Sequence, residues 1–212
     1  MTRVRALKLG PMANIVYLLA DAETGECGVV DPAWDTPAIL AALREEGLAL
    51  ARVLLTHGHR DHVNGVAELV RSAPGTPVHV HPADAGALEG VRKSLRPTGD
   101  GETVTLGRTS VTFLHTSGHT GGSQCLLCDG RLFTGDTLFI GSCGRVDLPG
   151  SDPEAMYRSL QRLAALPAET LILPGHDYGD VPSATMGEER GRNPYLKACA
   201  EGPLERFLKL VS

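Results

Sequence analysis

Four times along this chain an apolar, β-rich run ends in a glycine-containing turn that carries a histidine or an aspartate. Arg52–Thr56 runs into His57-Gly58-His59-Arg60-Asp61-His62, with Asn64-Gly65 behind it. Val111–Thr116 leads to Ser117-Gly118-His119-Thr120, Leu132–Thr134 to Gly135-Asp136-Thr137, and Thr170–Leu173 to Pro174-Gly175-His176. Such a chain is expected to gather its strand ends at one rim, because polar groups of this kind sit on loops held by a rigid sheet. Neutral imidazole and carboxylate suit Zn2+ or Fe2+, and a tight loop can point alternating side chains at two adjacent ions. Together the four turns supply five histidines and two aspartates, enough for two metal sites sharing a bridging carboxylate.

The segments between these turns alternate strand and helix patterns. Val4–Leu9, Asn14–Ala20 and Cys27–Asp31 read as successive strands, with turn signals at Gly10-Pro11 and Glu23-Thr24-Gly25. Thr36 to Glu46 has helical spacing, with Thr36 expected as N-cap, Pro37 at the first helical position and Gly47 as the stop. A helix over residues 65–71 and a strand at Val78–His81 follow. In the second half, strands are predicted at Thr103–Leu106 and Ser123–Cys128, and a helix over Pro153–Leu166 capped by Asp152. Strands in both halves with helices between them predict two sheets packed together with helices on the outer faces.

Composition narrows the function. The 212 residues fit one domain, 1–212, and a net charge of −5 without a basic block argues against a nucleic-acid partner held by phosphate contacts. The longest apolar run, Ile15–Ala20, is far short of the roughly 20 residues that span a bilayer. No membrane partner is expected. No apolar stretch follows Met1-Thr2-Arg3-Val4-Arg5, so a reducing cytoplasm is the expected location. The five cysteines do not suggest a disulfide framework. Cys125 and Cys128 form a C-x-x-C inside a strand, where positions i and i+3 face opposite ways, and are read as two small buried hydrophobes.

The motifs H-x-H-x-D-H, G-H-T, G-D-T and a late G-H, in this order from about Val4 to Leu196, resemble those of the metallo-β-lactamase superfamily. That resemblance implies an α/β fold, an αββα sandwich of two mixed sheets flanked by helices. It implies that His57, His59 and His119 hold one metal, that Asp61, His62 and His176 hold the other, and that Asp136 bridges them. Two divalent ions are implied, Zn2+ first and Fe2+ as the alternative, with Asp61 and Asp136 as the catalytic carboxylates.

Within the superfamily, Gly135-Asp136-Thr137-Leu138-Phe139, Cys143-Gly144-Arg145-Val146-Asp147, Gly175-His176-Asp177-Tyr178 and Gly187-Glu188-Glu189-Arg190 with Asn193-Pro194 are similar to the glyoxalase II (hydroxyacylglutathione hydrolase) branch. The implied enzyme is a metal-dependent thioesterase in which activated water attacks a small-molecule thioester such as an acylglutathione. Arg145 and Tyr178 match positions that contact the substrate thiol. Cys-Gly-Arg-x-Asp and His-Asp-Tyr also resemble persulfide dioxygenases, which would use one Fe2+ on His57, His119 and Asp136. A lactonase is a further alternative.

The sequence departs from full-length glyoxalase II in two ways. Only a short helix, about Pro203–Leu210, is expected where that enzyme has a helical glutathione-binding domain, and Asp147 stands in place of an aromatic. The identity of the thiol stays open. Of the remaining polar residues, Asp31 is read as a carboxylate orienting a ligand histidine. His79 is expected to be exposed on its strand, and His115 to pack or to support a ligand from behind. His81, before Pro82 and near Asp84, is a candidate for lining the cleft. Trp34 sits in a loop that the resemblance places over the site and is read as packing, and Arg145 beside Asp147 as either an anion clamp or an ion pair fixing the loop.

Overall fold

The structure is a computed structural model and describes residues 2–212. The first sheet holds β1 (Thr2–Leu9), β2 (Asn14–Asp21), β3 (Glu26–Val30), β4 (Ala49–Leu54), β5 (Val78–Val80) and β6 (Leu95–Pro97), paired in that order. Its first three strands are antiparallel and the rest run parallel to β3. The helices that accompany it are α1 (Thr36–Glu45), α2 (Arg60–Val63) and α3 (Val66–Ser72), with a kinked 3₁₀ segment over Pro82–Ser94.

The second sheet is built from β7 (Thr103–Leu106), β8 (Thr109–His115), β9 (Gln124–Cys128) and β10 (Arg131–Gly135). A ribbon of β11 (Leu138–Phe139) and β12 (Ser142–Cys143) stands beside it. After α4 (Pro153–Ala164), β13 (Leu171–Pro174) joins β10 in parallel and β14 (Ala184–Thr185) closes that edge. The chain then forms α5 (Met186–Arg192), α6 (Pro194–Glu201) and α7 (Leu204–Val211). The fold is α/β, two mixed sheets flanked by helices. Among the described residues no helix is long and apolar enough to cross a membrane.

Three apolar layers explain why the strands read as they do. Ile15, Tyr17 and Leu19 point between the sheets, toward Phe113, Leu126 and Phe133 of the second. Their neighbours Val16, Leu18 and Ala20 pack on the other face with Ile39, Leu43 and Leu69 from the helices. A strand covered on both sides needs an unbroken apolar run, and that is the origin of Ile15–Ala20. The same alternation separates Cys125, which joins the α4 layer, from Cys128, which faces the first sheet. Both thiols are buried and free, as expected.

Two local readings need correction. The N-cap of α1 is Asp35, whose carboxylate accepts from the Ala38 amide, and the Thr36 hydroxyl instead donates to Gly65. Asp35 wins because its carboxylate reaches the Ala38 amide, while the buried Thr36 hydroxyl is engaged with the Gly65 carbonyl. His79 is buried, with its ring 6.0 Å from that of Phe113. Its strand lies between β4 and β6 with the second sheet over it, so both of its faces are covered.

Candidate metal centre

The ligand-type side chains meet where β4, β8, β10 and β13 end. His57, His59 and His119 place one nitrogen each within 4.8 Å of one another, and Asp61, His62 and His176 form a second group by the same measure. Asp136 lies against both. Its Oδ1 is 3.3 Å from His62 Nε2, and its Oδ2 is 3.5 Å from His119 Nε2 and 3.4 Å from His176 Nε2. Asp61 Oδ2 is 3.4 Å from both His62 Nε2 and His176 Nε2. Thus all seven residues named from the sequence come together.

The turns need their glycines to achieve this. Gly135 has φ +48°, and a Cβ there would stand 2.3 Å from Thr56 Oγ1. A Cβ on Gly144 would stand 1.7 Å from the Asp136 carbonyl. Any larger residue at either position would displace Asp136 or the β4 end from the centre.

Hydrogen bonds on the far side of each ring set which nitrogen faces inward. His119 Nδ1 donates to the Arg145 carbonyl at 2.8 Å, and His176 Nδ1 donates to the Met12 carbonyl at 2.8 Å. A carbonyl only accepts, so Nδ1 carries the proton and Nε2 presents a lone pair. The Thr56 hydroxyl donates to Asp31 Oδ2 at 2.5 Å, so its lone pair accepts from His57 Nδ1 at 3.1 Å. The same Asp31 oxygen lies 3.1 Å from His62 Nδ1, and Asp31 Oδ1 accepts the Thr56 amide at 2.7 Å. Asp31 therefore aims histidines rather than facing the centre itself, although it also lies within ligand range of His57 and His62.

Burial of these groups leaves three atoms without a partner among the described residues: His57 Nε2, His119 Nε2 and Asp136 Oδ1. A buried polar atom left unsatisfied costs about 1–3 kcal/mol, so three converging on one spot are a fit for cations. Burial pulls His57 well below its ordinary pKa, and the neighbouring His62 adds to the effect. At His62 burial acts the same way, but the Asp136 and Asp31 carboxylates overcome it and raise the group well above normal. At His176 the bonds to Asp136 and Asp61 outweigh burial and lift it to about 9. Burial opposes charge on Asp136 as well, yet His62 and His176 hold its carboxyl well below the usual range.

The open side is a cleft of about 340 Å³ with Asp61, Asp136 and His176 on its floor and Met12, Leu148 and Tyr178 on its rim. Arg145 lines it, with its guanidinium bound to Asp147 through two bonds of 2.9 and 2.8 Å. The exposed Tyr178 ring stacks on His176, with centroids 4.6 Å apart and planes 10° from parallel. Of the other candidates, His81 does not line this cleft and stacks on His115 with ring centres 4.1 Å apart.

One residue escaped sequence reasoning. Asn14, in a strand that reads as wholly apolar beyond it, donates from Nδ2 to both Asp61 Oδ2 and the Asp61 carbonyl, each at 3.0 Å. Its own Oδ1 accepts from Trp34 Nε1 at 2.7 Å. Trp34 lies over Gly10, whose Cβ, if present, would stand 2.3 Å from the indole. The only sequence signal was a polar residue opening the strand directly after the Gly10-Pro11 turn.

Comparison with known proteins places this arrangement. The metallo-β-lactamase superfamily model matches residues 9–176. The chain is 33% identical over 186 residues to the probable polyketide biosynthesis zinc-dependent hydrolase BaeB of Bacillus velezensis, covering 87% of this chain and 82% of that one. It is 44% identical over 165 residues to the hydroxyacylglutathione hydrolase of Alkalilimnicola ehrlichii, which covers 78% of this chain but only 62% of that enzyme's length. The crystal structure of ETHE1 from Myxococcus xanthus superposes with a TM-score of 0.85 at 30% identity, over 99% of this chain and 89% of that one. The chain is an enzyme of the metallo-β-lactamase superfamily.

Proposed function

We propose that this protein is a metal-dependent hydrolase of small-molecule thioesters, with an acylglutathione as the leading substrate class. The observation that carries the reading is Asp136, one carboxylate in contact with both ligand groups and with an oxygen left unsatisfied. His57, His59 and His119 would hold one ion, Asp61, His62 and His176 the other, and Asp136 both; Zn2+ suits this nitrogen- and oxygen-rich set, and so does Fe2+. Such ions polarise a carbonyl and bring the pKa of water toward about 7, so that a nucleophile is present at neutral pH.

The chain's own residues do the rest. Carbonyl-anchored His119 and His176, and carboxylate-anchored His62, hold their rings in one tautomer through turnover. Asn14 keeps Asp61 turned inward. The mixed rim, with Met12, Leu148 and Tyr178 beside Arg60 and Arg145, suits an acyl–sulfur group attached to a polar carrier. The exposed Arg145–Asp147 pair can be exchanged for a substrate carboxylate, since exposed ion pairs are weak.

The test is metal analysis of the purified protein, with thiol release from S-lactoylglutathione and oxygen uptake on glutathione persulfide measured in parallel. Thioester hydrolysis without oxygen uptake is expected. Oxygen uptake by an iron protein that leaves the thioester intact would replace this reading with a persulfide dioxygenase using His57, His119 and Asp136.

A further inference from the structure

We infer that Asp84 is the positioning residue of the three-histidine group, fastening together the two loops that carry His57, His59 and His119; the inference rests on the metal assignment proposed above. Asp84 belongs to the 3₁₀ segment Pro82–Ser94, which contributes none of the seven central residues. Its Oδ2 accepts from the Gly58 amide at 2.7 Å and from the Thr120 hydroxyl at 2.7 Å, and its Oδ1 accepts from the Gly122 amide at 3.0 Å. Gly58 lies between His57 and His59, and Thr120 directly follows His119. One carboxylate thereby joins two loops that are some sixty residues apart in sequence.

The fit is close. A Cβ on Gly122 would stand 2.5 Å from Asp84 Oδ1, and one on Gly58 would stand 3.0 Å from Asp84 Cβ. Both loops give up a side chain so that the carboxylate can reach their backbone. His59 has most need of this anchor. The other four central histidines each have an Nδ1 bond to a protein acceptor, whereas His59 has no ring hydrogen bond among the described residues. Its aim is therefore set by its backbone, and the adjacent Gly58 amide is what Asp84 holds. Asp84 belongs to none of the groups of converging ligand-type atoms, and its oxygens face the Gly58 and Gly122 amides and the Thr120 hydroxyl.

Asp84→Asn keeps the volume but turns one oxygen into a donor, which must then face Gly122 or the Gly58–Thr120 side. Thr120→Val removes one of the three bonds, and Thr120→Ser restores it. The experiment titrates metal-stripped protein with Co2+, following the visible absorption of each ligand group and the stoichiometry, with the thermal midpoint of the metal-free protein alongside. Wild type is expected to bind two ions. In Asp84→Asn the dissociation constant of the three-histidine group should rise about 10- to 100-fold, the range for residues that orient metal ligands, while the Asp61 group keeps its affinity. Thr120→Val should weaken the same group by less, and Thr120→Ser should bind like wild type.

If both groups weaken equally, or neither does, the inference fails. If Asp84→Asn does not fold, the Thr120→Val and Thr120→Ser pair decides by the same criterion. Failure of wild type to bind two ions would overturn the metal assignment instead, which keeps the two apart.

Discussion

The two sheets bring their ligand-type residues to the centre by different means. The first sheet places four of them on one loop after β4 and aims three of the four through side chains: Asp31 and Thr56 behind His57 and His62, and Asn14 behind Asp61. The second sheet contributes one residue from each of three separate strand ends, and its two histidines are aimed by main-chain carbonyls. A crowded loop has little room for its own backbone to orient each ring, so it borrows buried carboxylates and amides. Dispersed ligands each have a neighbouring turn whose carbonyl is free. Orientation in the first half is therefore open to point mutation, and in the second half it is carried by backbone that a side-chain change leaves in place.

The largest effect is expected at the residue common to both halves. Asp136→Ala should abolish metal retention and thioester turnover together, read by metal analysis and thiol release, and full activity in this variant would break the scheme. Next comes Asp31→Asn. Asp31 has φ +49°, a conformation asparagine tolerates, so the fold should persist while His62 loses its acceptor or Thr56 its amide partner. Metal affinity should fall about 10- to 100-fold, and a chelator competition series measures it.

A smaller effect separates the sheets by pH. Burial, helped by Arg52, lowers His79 to about 4. The folded state disfavours its proton, so the contribution of neutral His79 is complete above the ordinary value of 6.5 and is lost as pH falls from 6.5 toward 4. Thermal midpoints of His79→Phe should accordingly decline less than wild type over that window; parallel declines would place the acid sensitivity elsewhere. The smallest effect belongs to Arg145→Ala. His119 is held by the Arg145 carbonyl, so metal affinity should stay within about twofold of wild type, with any loss confined to KM for anionic thioesters. A collapse of metal binding would show that the second half relies on side chains after all.

Much of this centre was readable because each of its four ligand-bearing turns contains a glycine and closes an apolar run, and both signals are local. Asp31 was readable from its place at the end of the apolar run Cys27–Val30. The features that were missed depend on distant partners. Asn14 reads as one more strand residue until Asp61, far along the chain, is placed beside it. His79 alternates with His81 as an edge strand would, and only the β6 pairing and Phe113 bury it. Asp35 lost to Thr36 in the reading because both are good caps one residue apart. The helix α5 went unread because Gly187, Gly191 and the charged Glu188-Glu189-Arg190 blur any apolar spacing, although the Thr185–Glu188 capping box marks where it starts.

Trp34 is the chain's one tryptophan, and it is hydrogen-bonded to the residue that holds Asp61. Its indole is partly open to solvent at the edge of the centre. The protein thereby carries an intrinsic fluorophore linked through Asn14 to one of the proposed ligands. Metal addition is expected to change its emission without label or substrate, and an Asn14→Ala variant should lose that response while keeping the fluorescence.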